Sequence, residues 1–277
     1  MESATPGYDF SRAKVAIVTG GGSGIGRALC HGLALRGVQK VVVADLNLSG
    51  AEETAQQVLA IGNGVTARAV HCNVGDGADI EKLIKDAEKN EGLVDIFIAN
   101  AGIGGDYGGL KSANDALWNK QMAVNVYQSV WAANVLLPSL AKRGGCFATT
   151  SSAAGLMSQL MSPAYTTTKH AVRAFTEWLA ITYGGAGLHV ACLCPQAVRT
   201  AMTGNTDGGV AGGDGVVTAD EASESLLKAL EAGRFLALPH PKVAEYVKRK
   251  AMDVDRWLAG MKRWQGKMME SFRKSKL

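Results

Sequence analysis

The stretch Thr19–Gly26 reads TGGGSGIG, and it follows a short apolar run and precedes a segment with helical spacing. Glycines at such a place let the backbone turn tightly and approach a pyrophosphate, whose charge then lies at the positive end of the following helix. The common G-x-G-x-x-G pattern does not fit this register. The stretch therefore predicts a variant dinucleotide-binding loop, with a glycine-rich turn used only for packing as the alternative.

An ATP- or GTP-binding loop is the competing motif at this place. Gly21 and Gly26 have the spacing of that loop, but Arg27 and Ala28 follow where it needs lysine and then serine or threonine. The side chains that would hold the phosphates and the magnesium ion are both missing, so the sequence disfavours hydrolysis of ATP or GTP.

Short β-rich runs alternate with helical patterns from residue 14 onward. The runs are almost continuously apolar, which is typical of a parallel sheet that is buried on both faces. Strands are expected at residues 14–19, 41–45, 65–70, 94–99, 146–151, 189–194 and 235–238, and helices at residues 26–35, 50–60, 79–90, 113–141, 164–182 and 219–231. This order predicts one α/β domain over residues 1–240, a doubly wound Rossmann fold with a seven-stranded parallel sheet. A helical extension follows over residues 241–277.

The bulk composition excludes several classes of protein. The chain has 277 residues and a formal net charge of +4, and its excess of Lys and Arg lies after Arg234. We therefore expect no nucleic-acid partner. Five cysteines lack the paired spacing of a zinc site, which predicts buried free thiols in a reducing compartment and no metal. The N-terminus has no apolar run of a secretory signal, and no stretch is long enough to span a bilayer. The cysteines are Cys30, Cys72, Cys146, Cys192 and Cys194.

Two further features bear on the cofactor and the chemistry. The second predicted strand ends at Asp45, where a carboxylate can accept hydrogen bonds from the adenosine ribose hydroxyls of NAD and would repel the extra phosphate of NADP. In AYTTTKHAV, residues 164–172, Tyr165 and Lys169 are four residues apart and share one face of a helix. Such a pair can arise by chance, or Lys169 can lower the pKa of the phenol for proton transfer.

These motifs together resemble the short-chain dehydrogenase/reductase family in its single-domain form, over residues 14–238. Thr19–Gly26 matches the T-G-x-x-x-G-x-G loop of the family, and Asn100–Gly102, which reads NAG, matches the motif that ends its fourth strand. Asn125 lies in MAVNVY, where the family keeps an asparagine, and Ser152 lies thirteen residues before Tyr165. Each motif alone is weak, but together and in this order they are specific.

The resemblance implies hydride transfer between a nicotinamide ring and the carbon of an alcohol or ketone. Tyr165 would be the general acid/base, Ser152 would hydrogen-bond the substrate oxygen, and Asn125 would hold a water in the proton path. Lys169 would bind the nicotinamide ribose and depress the pKa of Tyr165. Lowering the pKa of a phenol from about 10 to about 7 requires roughly 4 kcal/mol of differential stabilisation. A close ammonium and the positive nicotinamide could supply this energy in a partly dry site. The segment around Ser152 is not a hydrolase nucleophile elbow.

The resemblance also implies a set of cofactor contacts, with two departures from the family pattern. Asn73 stands where the family has aspartate, and an amide can still meet the adenine edge. Gln196 stands where the family has glycine after Pro195, and it adds bulk where nicotinamide and substrate would meet. The implied cofactor-binding residues are Gly20, Ser23, Gly24, Ile25, Gly26, Asp45, Asn73, Val74, Asn100, Ala101, Gly102, Tyr165, Lys169, Pro195, Val198 and Thr200.

The substrate pocket should be lined by residues 103–110, 153–161 and 202–217. The last of these segments is glycine-rich enough to be a mobile lid. Several apolar side chains favour an adaptable apolar cavity, although they could equally belong to the core; they are Leu156, Met157, Leu160, Met161 and Met202. Beyond residue 240 apolar residues recur at helical spacing among many basic ones, which predicts a helix that packs on the body or on a neighbouring subunit. The minority alternative is a rim that attracts an anionic substrate or an acidic membrane surface.

The last three residues, Ser275, Lys276 and Leu277, form the peroxisomal import address. In a eukaryote they predict a peroxisomal protein with the import receptor as a partner, whereas a prokaryotic chain would be cytoplasmic. A peroxisomal location makes acyl-derived substrates, including CoA thioesters, attractive. The resemblance also implies a homodimer or homotetramer that forms through the fourth and fifth helices. The alternative function is a non-catalytic dinucleotide-binding partner subunit.

Overall fold

The structure is a computed structural model that describes residues 6–105, 107–200 and 209–274, without the side chains of residues 209–211 and 271–274. Seven parallel strands form one sheet in the order β3-β2-β1-β4-β5-β6-β7. The strands are β1 Val15–Thr19, β2 Lys40–Asp45, β3 Thr66–His71, β4 Ile96–Ala99, β5 Cys146–Thr150, β6 His189–Leu193 and β7 Leu236–Ala237. The predicted doubly wound Rossmann fold is confirmed. The strand order reverses between β1 and β4, which is where such sheets bind ligands at the carboxyl ends of their strands.

Helices connect the strands and cover both faces of the sheet. They are α1 Gly24–Leu35, α2 Leu48–Ala60, α3 Gly77–Asn90, α4 Asp115–Met122, α5 Gln128–Arg143, α6 Ala154–Met157, α7 Pro163–Tyr183, α8 Ala219–Glu231, α9 Lys242–Met252 and α10 Val254–Lys274. The single helix predicted over residues 113–141 is wrong in one respect: α4 and α5 are separated by a π-helical turn at Ala123–Tyr127. This turn contains Asn125, and such irregularities often occur at functional sites. The short helix α6 was not predicted.

The sheet is buried on both faces because its strands carry apolar side chains on both. On β1, Ala16 and Val18 pack in one core cluster, while Val15 and Ile17 pack in the cluster on the opposite face. The first cluster includes side chains of α1 and α8, and the second includes side chains of α3 and α5. The continuous apolar runs of the sequence therefore reflect a central sheet between two helical layers.

The C-terminal extension consists of two helices rather than one. The backbone of Asp253 is extended and separates α9 from α10. In α9, Val243 is fully buried in a third core cluster that includes Leu156 and Cys192. This packing on the body agrees with the expectation for α9. In contrast, Leu258 of α10 is 47% exposed, and the helix meets α9 through a ring contact of Trp257. The division of the chain at residue 240 stays a prediction.

All five cysteines are buried and free, as the sequence predicts. Within residues 6–105, 107–200 and 209–274, no helix has the length and apolar character that are needed to cross a bilayer.

Candidate active site

The loop between β1 and α1 forms a cradle that fits a pyrophosphate. Gly20 and Gly24 have φ angles of +64° and +50°, in the left-handed region that favours glycine. A Cβ at Gly26 would lie 1.9 Å from the carbonyl oxygen of Gly20, so only glycine allows the helix to begin so close to the loop. Ser23 precedes α1 without capping it through its side chain. The backbone and the helix N-terminus thus offer the environment that a pyrophosphate needs.

Other predicted cofactor residues border this cradle. A Cβ at Gly24 would lie 2.9 Å from Cγ2 of Thr200, so the segment after β6 reaches over the loop. Ile25 packs against the first core cluster and anchors α1 to the sheet. Val198 forms an isolated parallel bridge with Val217. The structure thus brings Thr200 to the phosphate loop, and its role as a cofactor contact stays a prediction.

Asp45 ends β2 beside the same loop and is held by two backbone groups. Its Oδ2 accepts a hydrogen bond from the N–H of Gly22 at 2.9 Å, and its Oδ1 accepts one from the N–H of Asn47 at 2.8 Å. Arg27 donates to the carbonyl of Gly22 at 2.7 Å and forms an ion pair with Glu53 at 2.8 Å. These contacts of Arg27 were not predicted. The carboxylate of Asp45 is therefore fixed at the loop.

Asn73 and Val74 lie after β3, at the predicted adenine side of the site. Oδ1 of Asn73 accepts the N–H of Gly75 at 3.1 Å and closes a turn, while Val74 is buried in the second core cluster. Asn73 is exposed. Its contact with the adenine edge stays a prediction, and the amide nitrogen is the group that would make it.

Asn100 joins the ends of three strands. Its Nδ2 donates to the carbonyl oxygens of Thr19 and Gly20 at 3.1 and 3.4 Å, and its Oδ1 accepts the hydroxyl of Thr150 at 3.0 Å. The side chain therefore ties the phosphate loop at the end of β1 to the end of β5. The predicted role of Asn100 at the cofactor stays a prediction.

Gln128 is a buried residue of this region that the sequence analysis missed. Its Oε1 accepts the hydroxyl of Thr19 at 2.9 Å, and its Nε2 donates to the carbonyl of Ala101 at 2.6 Å and to that of Val124. Thr19 Oγ1 in turn accepts the N–H of Asn100 at 3.0 Å. A polar residue inside an apolar helix was the available signal, because buried polar groups require partners.

Lys169 lies at the centre of the site, and its ammonium is buried. Its Nζ donates to the carbonyl of Thr150 at 2.9 Å and lies 5.5 Å from the ring centre of Tyr165. A Cβ at Gly102 would lie 3.2 Å from this Nζ, so a larger residue there would crowd it. Burial lowers the pKa of Lys169 to about 8. The structure thus brings Tyr165, Lys169 and Gly102 together, as the resemblance implies.

Ser152 stands at the end of β5 next to the segment that follows β6. Its hydroxyl donates to the carbonyl of Pro195 at 3.3 Å and accepts the N–H of Ala154 at 3.1 Å. The side chain is 8% exposed. The bond to Pro195 fixes the predicted nicotinamide segment against the predicted substrate-binding serine.

Asn125 positions the loop after β4 from the π-helical turn. Its Nδ2 donates to the carbonyl of Ile103 at 2.9 Å and to the hydroxyl of Thr168 at 3.0 Å, and its Oδ1 accepts the N–H of Ile103 at 2.8 Å. Both amide hydrogens are used in these bonds, so the side chain could hold a water only through Oδ1. The water-binding role of Asn125 stays a prediction.

Two of the three predicted walls of the substrate pocket meet in the described structure. The N–H of Gly109 donates to the carbonyl of Met161 at 2.9 Å. Ser158 and Met161 have positive φ angles of 87° and 63°, and such strained backbone often occurs at functional sites. Leu156 is buried and Met157 packs against the same core cluster, so these two belong to the core rather than to an open cavity. Met202 and the rest of residues 201–208 lie outside the described residues.

Among the described residues, no group of three His, Cys, Asp or Glu side chains is arranged to hold a metal ion.

Comparison with known proteins agrees with this geometry. Residues 14–210 match the family model of the short chain dehydrogenases. The chain is 32% identical over 190 residues to meso-2,3-butanediol dehydrogenase of Serratia marcescens, an alignment that covers 69% of this chain and 73% of that protein. A crystal structure of a short chain dehydrogenase/reductase from Burkholderia phymatum in complex with NAD has a TM-score of 0.79 at 27% identity, and covers 90% of this chain and 96% of that one.

A short-chain dehydrogenase from Sphingobium yanoikuyae in complex with NADPH has a TM-score of 0.74 and covers 92% of this chain and 95% of that one. Its identity of 22% shows a likeness of fold alone. The fold and the matches define an oxidoreductase that uses a nicotinamide dinucleotide. The chain belongs to the short-chain dehydrogenase/reductase family.

The buried Lys169 should make stability depend on pH in a defined direction. Because its pKa falls from 10.5 to about 8 on folding, the unfolded chain binds more protons between these values, and stability should rise with pH across that window. The whole pKa shift of Lys169 corresponds to a change of about 3 kcal/mol in the free energy of unfolding. We expect the free energy of unfolding of the wild type, minus that of Lys169→Met, to increase by up to this amount from pH 8 to pH 10.5.

Urea unfolding at several pH values measures this difference. Lys248→Met removes a lysine that is exposed on α9, and it serves as the matched control for the loss of a lysine side chain. A difference between wild type and Lys169→Met that stays constant or falls over the window would contradict the burial of the charge.

Proposed function

We propose that the chain is an NAD-dependent dehydrogenase that interconverts a secondary alcohol and a ketone. The observation that carries this proposal is the buried ammonium of Lys169, 5.5 Å from the ring centre of Tyr165 and beside the dinucleotide cradle. A buried positive charge near a phenol stabilises the phenolate, which is the form that accepts a proton. The relative from Serratia marcescens is named as a dehydrogenase of a secondary alcohol, meso-2,3-butanediol, which supports the substrate class.

The proposal assigns a role to each of three side chains, as the resemblance to the family implies. In alcohol oxidation, Tyr165 accepts the hydroxyl proton and Lys169 stabilises the negative phenolate. The hydroxyl of Ser152 turns from the carbonyl of Pro195, to which it donates at 3.3 Å, and donates its hydrogen bond to the substrate oxygen instead. In ketone reduction, Tyr165 returns the proton to the oxygen. The nicotinamide, when bound, supplies the acceptor or donor of the hydride. A positioned hydrogen-bond donor and a nearby charge each stabilise the reacting oxygen atoms most strongly in a site that is partly dry.

Asp45 supports NAD as the cofactor. Both carboxylate oxygens are bound to backbone N–H groups of the loop segments at 2.9 and 2.8 Å, so the negative charge is fixed beside the cradle. This charge would repel the phosphate that distinguishes NADP from NAD. Arg27 is the nearby cation that could favour NADP, but it is engaged by Glu53.

The competing function is a non-catalytic partner subunit that binds the dinucleotide without turnover. Tyr165→Phe separates the two functions because it removes the proton-transfer group and keeps the ring. We expect turnover of a secondary alcohol with NAD to fall by about 100-fold or more, while the dissociation constant of NAD changes little. NADH absorbance measures the first quantity, and calorimetric titration measures the second. A wild-type protein that binds NAD and turns over no secondary alcohol would favour the partner subunit.

Removing the charge of Asp45 should change the cofactor preference. We expect Asp45→Asn to lower kcat/KM for NAD and raise it for NADP, so that their ratio shifts by about 10-fold or more, which is an energy of about 1.4 kcal/mol. Glu52→Gln is the matched control, because it makes the same charge change at an exposed position on α2. Initial rates with both cofactors measure the ratio. An equal effect of the two variants would assign the preference to net charge and not to Asp45.

Simple alcohols and acyl-derived compounds are the two candidate groups of substrate within this class. We propose acyl-derived substrates, including hydroxyacyl-CoA thioesters, as the first group to compare with simple secondary alcohols and sterols. The many basic residues beyond residue 240 support an anionic substrate. Turnover confined to the thioesters would connect these basic residues with the substrate.

A peroxisomal location in a eukaryote is likewise a proposal, and the import receptor would be the partner. It rests on Ser275, Lys276 and Leu277, which lie outside the described residues. Two fluorescent fusions test this location, one that ends in the tripeptide and one that lacks Leu277. The full fusion should enter peroxisomes, and the shortened fusion should stay in the cytosol.

We also propose that the chain forms a homodimer or homotetramer through α5 and α7. Trp178 and Ile181 of α7 are 50% and 78% exposed, and Tyr127, which directly precedes α5, is 44% exposed. Large exposed apolar side chains of this kind, when they lie together, are typical of interfaces between subunits.

A further inference from the structure

Gln128, the first residue of α5, is a polar side chain that is only 1% exposed. Its Oε1 accepts the hydroxyl of Thr19 at 2.9 Å, and its Nε2 donates to the carbonyls of Ala101 and Val124. Burial of an amide costs free energy unless its hydrogen bonds are made. One amide thus joins the end of β1, the segment after β4 and the π-helical turn before α5.

The side chain of Gln128 also compensates for a donor that the π-helical turn redirects. In a regular α-helix the N–H of Gln128 would donate to the carbonyl of Val124, four residues earlier. This N–H instead donates to the carbonyl of Ala123, five residues earlier. The side-chain amide of the same residue donates to the carbonyl of Val124. Gln128 therefore stabilises the π-helical turn, which contains Asn125.

A second set of hydrogen bonds leads from this turn to the helix that carries the proposed catalytic tyrosine. Nδ2 of Asn125 donates to the hydroxyl of Thr168 at 3.0 Å, and this hydroxyl donates to the carbonyl of Tyr165 at 3.0 Å. Asn125 and Thr168 are both buried. The position of the first turn of α7 is therefore tied to the position in which the π-helical turn holds Asn125.

The amide of Gln128 also contacts the residue that opens the dinucleotide loop. Oγ1 of Thr19 accepts the N–H groups of Asn100 and Ala101 at 3.0 and 3.2 Å. Its own hydrogen can go to Oε1 of Gln128 at 2.9 Å or to the carbonyl of Ile98 at 3.4 Å, and the shorter bond is the stronger one. Because the hydroxyl of Thr19 needs an acceptor there, the oxygen of the Gln128 amide faces Thr19 and its nitrogen faces the carbonyls.

We propose that Gln128 is a positioning residue that fixes the dinucleotide loop relative to the residues of proton transfer. Its hydrogen bonds go to Thr19, Ala101 and Val124, so it acts through other residues and not on the reacting atoms. This inference rests on the proposed function, because it takes Tyr165 as the group that transfers the proton. The hydrogen-bonded path consists, in order, of Thr19, Gln128, Val124, Asn125, Thr168 and Tyr165.

Two substitutions of Gln128 change these bonds at nearly constant volume. Gln128→Met fills a similar space and makes none of the three hydrogen bonds. Gln128→Glu keeps an acceptor for Thr19, and in its protonated form it keeps one donor for a carbonyl. Burial raises the pKa of a carboxyl, so this form persists to higher pH than in water, whereas the ionised form would face carbonyl oxygens without a donor.

The first test measures alcohol oxidation by the full chain. We expect Gln128→Met to lower kcat by about 10-fold or more while KM for the secondary alcohol changes by less than about 3-fold, because a misplaced Tyr165 affects the transition state and not substrate binding. The kcat of Gln128→Glu, divided by that of the wild type at the same pH, should lie within about 3-fold of unity near pH 6. It should fall to the value of Gln128→Met as the pH rises to about 9.

Thr176→Val is the matched control for the loss of a buried hydrogen bond. The hydroxyl of Thr176 on α7 donates to the carbonyl of Val172 at 2.6 Å and lies 2.8 Å from the hydroxyl of Thr149. None of these residues belongs to the path. We expect Thr176→Val to change kcat by less than about 2-fold at every pH, even where it lowers the free energy of unfolding.

The second test does not depend on turnover. Amide hydrogen exchange of a peptide that spans residues 120–130 should become at least about 5-fold faster in Gln128→Met, because the π-helical turn opens more often. Thr176→Val should leave this exchange unchanged. NAD should slow the exchange of this peptide at least about 3-fold in the wild type and by less in Gln128→Met, since the variant no longer connects the loop with the turn. An equal effect of NAD on both proteins would refute the connection.

The two tests separate the failure of this inference from the failure of the proposed function. A wild-type protein that binds NAD without turnover refutes the proposed function, and the exchange data then decide whether Gln128 connects the loop with the turn. Wild-type turnover with an unchanged kcat in Gln128→Met overturns the positioning role alone. If Gln128→Met does not fold, the pH profile of Gln128→Glu decides, and a kcat ratio that is independent of pH overturns the role.

Discussion

The site depends on one continuous series of hydrogen bonds that begins at Asn100. The amide nitrogen of Asn100 donates to the carbonyls of Thr19 and Gly20, and its amide oxygen accepts the hydroxyl of Thr150. The carbonyl of Thr150 in turn accepts a hydrogen bond from the ammonium of Lys169. Carbonyl groups at the carboxyl ends of parallel strands cannot pair within the sheet and must find other partners. Asn100 meets this requirement and, by the same bonds, fixes the distance between the phosphate loop and Lys169.

This arrangement buries a charge, and the structure around Lys169 is built to tolerate it. An unpaired ammonium in the interior is costly unless it finds hydrogen-bond acceptors. The carbonyl of Thr150 is one such acceptor, and the ring of Tyr165 lies nearby. Gly102 leaves room for the ammonium, where a Cβ would approach to 3.2 Å. The low tolerance for side chains at Gly102 and the buried charge of Lys169 are thus parts of one constraint on this region.

The sequence was sufficient for the sheet and for the proposed site because both depend on local patterns. Apolar runs, the glycines of Thr19–Gly26 and the spacing of Tyr165 and Lys169 can all be recognised within short stretches, and the structure brings these residues together. The π-helical turn at Asn125 was missed because an amphipathic pattern does not distinguish a π turn from an α-helix. Asp214 and Gln128 were missed because their partners are distant in sequence, and no local pattern indicates which buried polar groups will meet.

The difference between local sequence patterns and contacts of residues that are distant in sequence also explains why the cofactor site is easier to infer than the substrate. The family match ends at residue 210, whereas Asp214, His240 and Tyr246 all lie beyond it. These residues connect to the matched part through Gln196, which itself departs from the family pattern. A bulky, oriented amide in place of glycine needs a partner to hold it, and the carboxylate of Asp214 provides one. The carboxylate of Asp214 thus connects the larger side chain of Gln196 to Tyr246 of α9, a helix that lies beyond the residues matched by the family model.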